Sequence, residues 1–290
     1  MITTGTIIAL LSTVIAMALA AKCSLPAPGV CGIRALKEIE EPFYPWTAVL
    51  IVQPQWNGPI VAICGGTLIS DRFVLTPAHC FENLPGYVTF KIRLGGWNIT
   101  SERACDAELC AGRIIDVAIV SHVIHQDFNS SHIQHDIAMI KLARPVTFTN
   151  FISPICLPWS ESHMNPLESG RILRVVGWNI VEENYIPNVT DFIGDRHQNS
   201  MEVRTVSDEE CDFDFQSTSE ICTEQVDENN LQRVDFARSL VTQERDDYWY
   251  QHGHGVWEFG NPKQHESDIF TRITHYLDWI RENLNGAGPC

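Results

Sequence analysis

The chain has 290 residues, of which 44% are hydrophobic, and a formal net charge of -16. The length and apolar content suffice for one large domain or two small ones with a shared core, and they exclude an intrinsically disordered chain. The negative charge argues against nucleic acid or an anionic membrane surface as a partner and favours a basic one, because like charges repel before contact.

Residues 1–20 form a nearly uncharged apolar stretch that ends in Ala18-Leu19-Ala20. Such an ending is typical of a secretory signal peptide, so the mature chain is predicted to be secreted and extracellular. A membrane anchor is the alternative. No later apolar stretch is long enough to span a bilayer, so no membrane partner is expected.

The region that follows predicts an extended segment and then an all-β domain. Residues 21–42 contain several prolines and lack periodicity, which indicates an extended N-terminal segment. From residue 43 short apolar runs are separated by turn residues, and VTFKIRL (88–94) alternates with period two, a pattern typical of a β-barrel or sandwich. The polar stretch 179–200 is predicted to be a surface loop.

Only the end of the chain predicts a helix. Apolar residues recur there at intervals of three or four, which is typical of an amphipathic helix packed on the β-domain by one face. These residues are Ile269, Ile273, Tyr276, Leu277, Ile280 and Leu284.

The cysteines and glycosylation sequons agree with a secreted chain. An even count of ten cysteines is typical of paired disulfide bridges in an oxidising compartment. The acceptor sequons begin at Asn98, Asn129 and Asn188, which makes these asparagines candidate glycosylation sites.

Several long motifs occur together in one order. They are CGGTLISDRFVLTPAHC (64–80), HDIAMIKLARPV from His135, ISPICLP (152–158) and VVGWN from Val175. Their order and wording resemble the chymotrypsin-like serine proteases of the trypsin family, over about residues 43–284. CDAELC (105–110) further resembles arthropod clip-domain proteases and their inactive homologues, although no clip domain is expected before it.

The resemblance implies two antiparallel β-barrels with a cleft between them and a C-terminal α-helix, in a domain at 43–290. It places His79 at the general base and Asp136 at the acid that orients this base. Isolated histidines and aspartates are usually structural or solvent-facing, so the assignment depends on the surrounding motifs.

The family's nucleophile motif, GDSGGPLV, aligns with VDFARSLV (234–241) and places Phe236 at the catalytic serine. A phenyl ring has no lone pair or acidic proton for nucleophilic catalysis. Ser239 is three residues farther along the chain. A shift of three residues moves a side chain by up to about 10 Å, beyond hydrogen-bond reach of the base.

The neighbouring catalytic features are also altered. Val234 replaces a glycine that donates to the oxyanion hole, and Ala237 and Arg238 replace two further glycines, so that Arg238 is expected to add bulk and charge beside the cleft. The chain also lacks the Ile-Val-Gly-Gly start that would pair with Asp235. Cleavage at Arg34 would not release such a start, and Arg233, Arg238 or water are candidate partners for Asp235.

The resemblance also implies a set of disulfides, while two family bridges around the site have lost both of their cysteines. Cys23 and Cys290 remain, and they pair with each other or with another molecule. The implied pairs are Cys64–Cys80, Cys211–Cys222, Cys105–Cys110 and Cys31–Cys156.

The remaining motifs do not assign a specificity or a cofactor. The strand that would line the specificity pocket reads GVWEFG, with Glu258 and Phe259 in place of Ser-Trp, and Asn230 near the pocket floor gives no charge signature. The histidines of HGHG (252–255), with His265, form a possible metal site. A solvated polar loop is the favoured interpretation, so no metal or other cofactor is expected.

Three hypotheses follow. The first is a non-catalytic serine protease homologue that binds proteases, zymogens or other proteins of an extracellular cascade in innate immunity, melanisation or development. The second is a trypsin-type endopeptidase with an unorthodox site that uses His79 and Asp136 with Ser239 or a water. The third is a decoy that captures inhibitors or substrates without cleaving them, which an open cleft would favour.

Overall fold

Two six-stranded antiparallel barrels form the body of the molecule, as predicted. The computed structural model describes residues 24–34, 43–54, 61–82, 88–96, 114–160, 168–178, 198–211, 216–226, 236–255 and 267–286. The first barrel closes in the order β1-β2-β3-β6-β5-β4. Its strands are β1 (Thr47–Pro54), β2 (Val61–Leu68), β3 (Phe73–Thr76), β4 (Val88–Leu94), β5 (Ile115–Ile124) and β6 (Ala138–Leu142).

The second barrel closes in the order β10-β11-β12-β9-β8-β7. Its strands are β7 (Ile172–Trp178), β8 (Gln198–Thr205), β9 (Glu220–Gln225), β10 (Phe236–Gln243), β11 (Trp249–Gly255) and β12 (Ser267–Arg272). The predicted loop 179–200 is therefore wrong at its end. Residues 198–200 belong to β8, where the buried side chain of Gln198 accepts a hydrogen bond from the Tyr44 amide at 2.8 Å.

The alternation in VTFKIRL follows the two faces of β4. Ile92 and Leu94 are fully buried in the core of the first barrel. Arg93 points to the opposite side and forms an ion pair with Asp116 at 2.8 Å. Successive side chains of a strand point to opposite faces, so an apolar residue at every second position faces the barrel interior.

A third apolar cluster joins the two barrels to the C-terminal helix. Tyr44 and Trp46, which precede β1, pack with Val176 and Val241 of the second barrel. The predicted helix begins later than expected. Ile269 lies in β12 opposite Cys222, and the chain then forms a 3-10 turn at Ile273–Tyr276 followed by helix α1 (Leu277–Gly286).

The described part of the N-terminal segment is attached to the second barrel. Cys31 is disulfide-bonded to Cys156, the Gly32 amide donates to the Pro154 carbonyl at 2.8 Å, and the Trp249 amide donates to the Gly32 carbonyl at 3.0 Å. These bonds hold residues near Cys31 beside the start of β11.

Three of the implied disulfides are present: Cys31–Cys156, Cys64–Cys80 and Cys211–Cys222. Cys105–Cys110 and Cys23–Cys290 lie outside the described residues, as do residues 1–20 and the sequons at Asn98 and Asn188. Asn129 is exposed in a turn, where its side-chain carbonyl accepts a hydrogen bond from the Ser131 amide at 3.0 Å. No helix among the described residues is long and apolar enough to cross a membrane.

Candidate active site

His79 is presented by a short 3-10 turn at the end of β3. Pro77 ends the strand in an extended conformation, and the turn Ala78–Phe81 follows. The Thr76 hydroxyl donates to the Gly65 carbonyl at 2.6 Å, and the Cys64–Cys80 disulfide joins the turn to β2. These two links fix the backbone on both sides of His79, whose side chain is 19% exposed.

Asp136 orients the His79 ring from a buried position just before β6. Its carboxylate is fully buried and accepts a hydrogen bond from the His79 amide at 2.9 Å through Oδ1. Oδ2 lies 2.7 Å from Nδ1 of His79. Because a carboxylate accepts, Nδ1 carries the proton, and Nε2 is left as the basic nitrogen. Nε2 lies 4.0 Å from Sγ of Cys64.

The second barrel and its following turn support the segment that carries Asp136. The Thr271 hydroxyl donates to the Asp136 carbonyl at 3.2 Å. His135, with a left-handed φ of 55°, has Nδ1 at 3.1 Å from the Tyr276 hydroxyl. These two contacts join residues more than 130 positions apart in the chain, and no local sequence pattern predicts them.

Ser239 is buried in β10. Its side chain is 1% exposed, and its hydroxyl donates to the Val176 carbonyl at 3.4 Å. In β10, Ser239 lies between Val176 of β7 and His254 of β11. The hydroxyl is therefore engaged on the β7 side of the strand, away from solvent.

Arg238 is buried, which corrects the expectation that it adds bulk and charge to the cleft. It is 9% exposed, and its guanidinium pairs with Asp268 of β12 at 2.7 Å. The guanidinium carbon also lies 5.0 Å from the centre of the Phe270 ring. Asp268 was not predicted from the sequence, although a buried arginine implies a counter-charge nearby.

The sequence model of the trypsin family matches residues 37–280. The chain belongs to the trypsin family. Among its relatives, CLIP domain-containing serine protease HP8 of Bombyx mori is 31% identical over 286 residues, which cover 90% of this chain and 73% of the relative. CLIP domain-containing serine protease B4 of Anopheles gambiae is 28% identical over 283 residues, which cover 91% of this chain and 75% of the relative.

A solved structure of a relative agrees with the fold of this trypsin-family chain. The Drosophila Grass clip serine protease of the Toll pathway superposes with a TM-score of 0.68 at 26% identity, covering 90% of this chain and 76% of that one. Serine protease grass of Drosophila melanogaster is 38% identical over 142 residues, which are 48% of this chain and 37% of that protein.

The two histidines of HGHG are buried in β11, so the interpretation of a solvated loop is wrong. His252 and His254 are each 1% exposed in this strand of the closed second barrel. Nε2 of His252 lies 3.4 Å from Glu244, and this hydrogen bond holds the pKa of Glu244 below its usual range. Nδ1 of His254 accepts from the Gln251 amide at 3.0 Å, and burial lowers the pKa of His254 to about 4.

Within the described ranges the geometry offers one group of three candidate metal ligands, Cys64, His79 and Cys80. The two sulfurs are bonded to each other, and disulfide sulfur lacks the thiolate charge that binds metals. The group therefore belongs to the His79 turn. His265, Phe259, Glu258, Asp235, Val234 and Asn230 lie outside the described residues.

Proposed function

We propose that this chain is a secreted, catalytically inactive trypsin-family protein that acts by binding other proteins of an extracellular protease cascade. The observation that carries the proposal is Phe236, which aligns with the family's catalytic serine within VDFARSLV. A triad needs a hydroxyl or thiol whose proton passes to the histidine, and a phenyl side chain offers none.

The positions around Phe236 support the same conclusion. Val234 replaces the glycine whose N–H donates to the oxyanion hole in the family. If this position needs a positive φ, a β-branched residue would displace that N–H, and loss of one oxyanion donor costs about 100- to 1000-fold in rate. Ser239, the nearest serine along the strand, is buried and donates to the Val176 carbonyl. The expected activation start that would pair with Asp235 is also missing from the sequence.

The names of the relatives and the charge of the chain support the proposed class of partner. Names among the relatives include phenoloxidase-activating factor 1 of Holotrichia diomphalia and melanization protease 1 of Drosophila melanogaster. We therefore place this chain in a cascade of immunity or melanisation, with proteases, zymogens or inhibitors as partners. The net charge of -16 favours a basic docking surface on the partner.

In this proposal residues 1–20 are a signal peptide that is removed, residues 21–42 form an extended segment, and residues 43–290 form the trypsin-like domain. Cleavage at Arg34 would leave the two pieces joined by the Cys31–Cys156 disulfide. The three sequon asparagines are proposed glycosylation sites, and no cofactor or metal takes part.

We expect the purified chain to show no peptidase turnover and no labelling by a fluorophosphonate, because no activated serine lies at the nucleophile position. The chain would be treated with an activating protease, freed from it, and assayed beside His79→Ala. The wild type and this variant should give the same background. Turnover or labelling that disappears in His79→Ala would contradict the proposal.

That contrary result would support the second candidate function, an endopeptidase with an unorthodox site. The observation in its favour is the retained pair of His79 and Asp136, which is fully assembled at 2.7 Å. Ser239→Ala would then decide between the two sources of the nucleophile. It would abolish turnover if Ser239 attacks the substrate, and leave turnover intact if a water does.

Binding is tested by capture from extracellular fluid of the source animal, with mass spectrometry of the recovered proteins. We expect enrichment of a protease, zymogen or protease inhibitor, with recovery that falls as salt is raised, because charge attraction is screened. A catalytically active trypsin-family protein of the same size serves as the control bait. Recovery of no such protein, or the same set with both baits, would count against the proposal.

A further inference from the structure

We infer that Asp268, Phe270 and Gly255 form a buried guanidinium-binding site that Arg238 fills from within the chain. The site itself depends only on the contacts described below. What the site implies for partner binding deepens the proposed function and rests on it. That step uses the alignment of Arg238 with a family glycine two residues after the nucleophile position.

The site has a carboxylate wall and an aromatic wall. The Arg238 guanidinium pairs with Asp268 at 2.7 Å, with the two side chains 6% and 18% exposed. Its carbon lies 5.0 Å from the centre of the Phe270 ring. A planar, weakly hydrated guanidinium suits a carboxylate beside an aromatic ring better than an ammonium does.

Gly255 forms the floor of the site. β10 and β12 both pair with β11, so a side chain that runs from β10 to β12 must cross β11. Arg238 crosses it at Gly255, which is directly paired with Phe270. A Cβ atom added at Gly255 would lie 2.7 Å from Cβ of Arg238 and 3.3 Å from its Cδ. The absence of a side chain at residue 255 therefore creates the space in which the arginine lies.

The site is neutral only while it is occupied. Asp268 is partly buried, and a carboxylate in such a place that loses its partner keeps an uncompensated charge, which is more costly than the intact pair. The vacated site should therefore bind a free cation of guanidinium or amidinium chemistry. A partner's arginine would have to displace a residue that is covalently part of the chain, so we expect partners to bind elsewhere on the surface.

The test is chemical rescue of Arg238→Ala. The atoms that this substitution removes correspond to ethylguanidinium, which is the probe. We expect the variant's melting temperature to fall by about 10 °C and to rise again, with saturation, at millimolar ethylguanidinium. The wild type should show no such rise. N-ethylurea, of the same shape but without charge, and the Arg238→Ala/Asp268→Asn double variant should also show none.

A second set of variants covers the case in which Arg238→Ala does not fold. Arg238→Met keeps most of the side-chain volume, and Asp268→Asn keeps that of the carboxylate. If the two residues form one site, the Arg238→Met/Asp268→Asn pair should melt at a higher temperature than either single variant, because it leaves no unpaired charge. Melting-temperature losses that simply add would overturn the inference.

The rescue result is independent of the proposed function. Absence of saturable rescue, or equal rescue by N-ethylurea, would overturn the guanidinium site, whatever the peptidase assay gives. Fluorophosphonate labelling of the wild type together with saturable rescue of Arg238→Ala would instead overturn the proposed function and leave the site in place.

Discussion

Replacing Cys31 and Cys156 together by alanine is expected to lower the free energy of unfolding by about 5 kcal/mol. The two cysteines are 125 residues apart, so their bridge closes a long loop and removes much of the freedom of the unfolded chain. Both side chains are 2% exposed, so reduction in the folded protein should be slow. Denaturant titration of the uncut chain measures the change.

The Cys211–Cys222 bridge supplies the matched control. Its cysteines are only 11 residues apart, and removing both should cost about 3 kcal/mol. The long-loop variant should therefore unfold at lower denaturant than the short-loop variant. An equal loss, or a larger one for Cys211 and Cys222, would show that loop closure does not set the stability of the domain.

Acidification is expected to destabilise the protein through His254, by about 3 kcal/mol between pH 6.5 and pH 4. Burial lowers the pKa of His254 to about 4, whereas an unfolded histidine titrates near 6.5. As the pH falls through this window the unfolded chain takes up a proton that the folded chain does not. The stabilising effect is therefore fully present above about pH 6.5 and is lost as the pH approaches 4.

The test compares the free energy of unfolding at pH 7.5 and pH 4 in the wild type and in His254→Gln. Glutamine keeps an acceptor for the Gln251 amide and does not titrate. The difference between the two pH values should shrink by about 3 kcal/mol. A residual dependence of the same sign should remain, because burial also lowers the pKa of His125 and His275. An unchanged difference in His254→Gln would contradict the assignment.

The predicted start of the helix and the predicted HGHG loop were wrong because each local pattern is compatible with two structures. The apolar spacing that predicted a helix from Ile269 continues without a break from β12 into the turn at Ile273, because no glycine or proline separates them. The HGHG sequence resembles a polar loop. In β11 its two histidines are buried, with Gln251 beside His254 and Glu244 beside His252.

The sequence by itself determined an all-β barrel or sandwich from local alternation. The resemblance of its long motifs to the trypsin family predicted the two-barrel fold and the pairing of His79 with Asp136. It also predicted that Phe236 in VDFARSLV takes the place of the catalytic serine. Only the tertiary structure decided where Arg238 and Ser239 point. Both directions depend on neighbours brought by strand pairing, Val176 for Ser239 and Gly255 with Asp268 for Arg238. Side-chain direction in a closed barrel depends on the register of adjacent strands, which no local pattern contains.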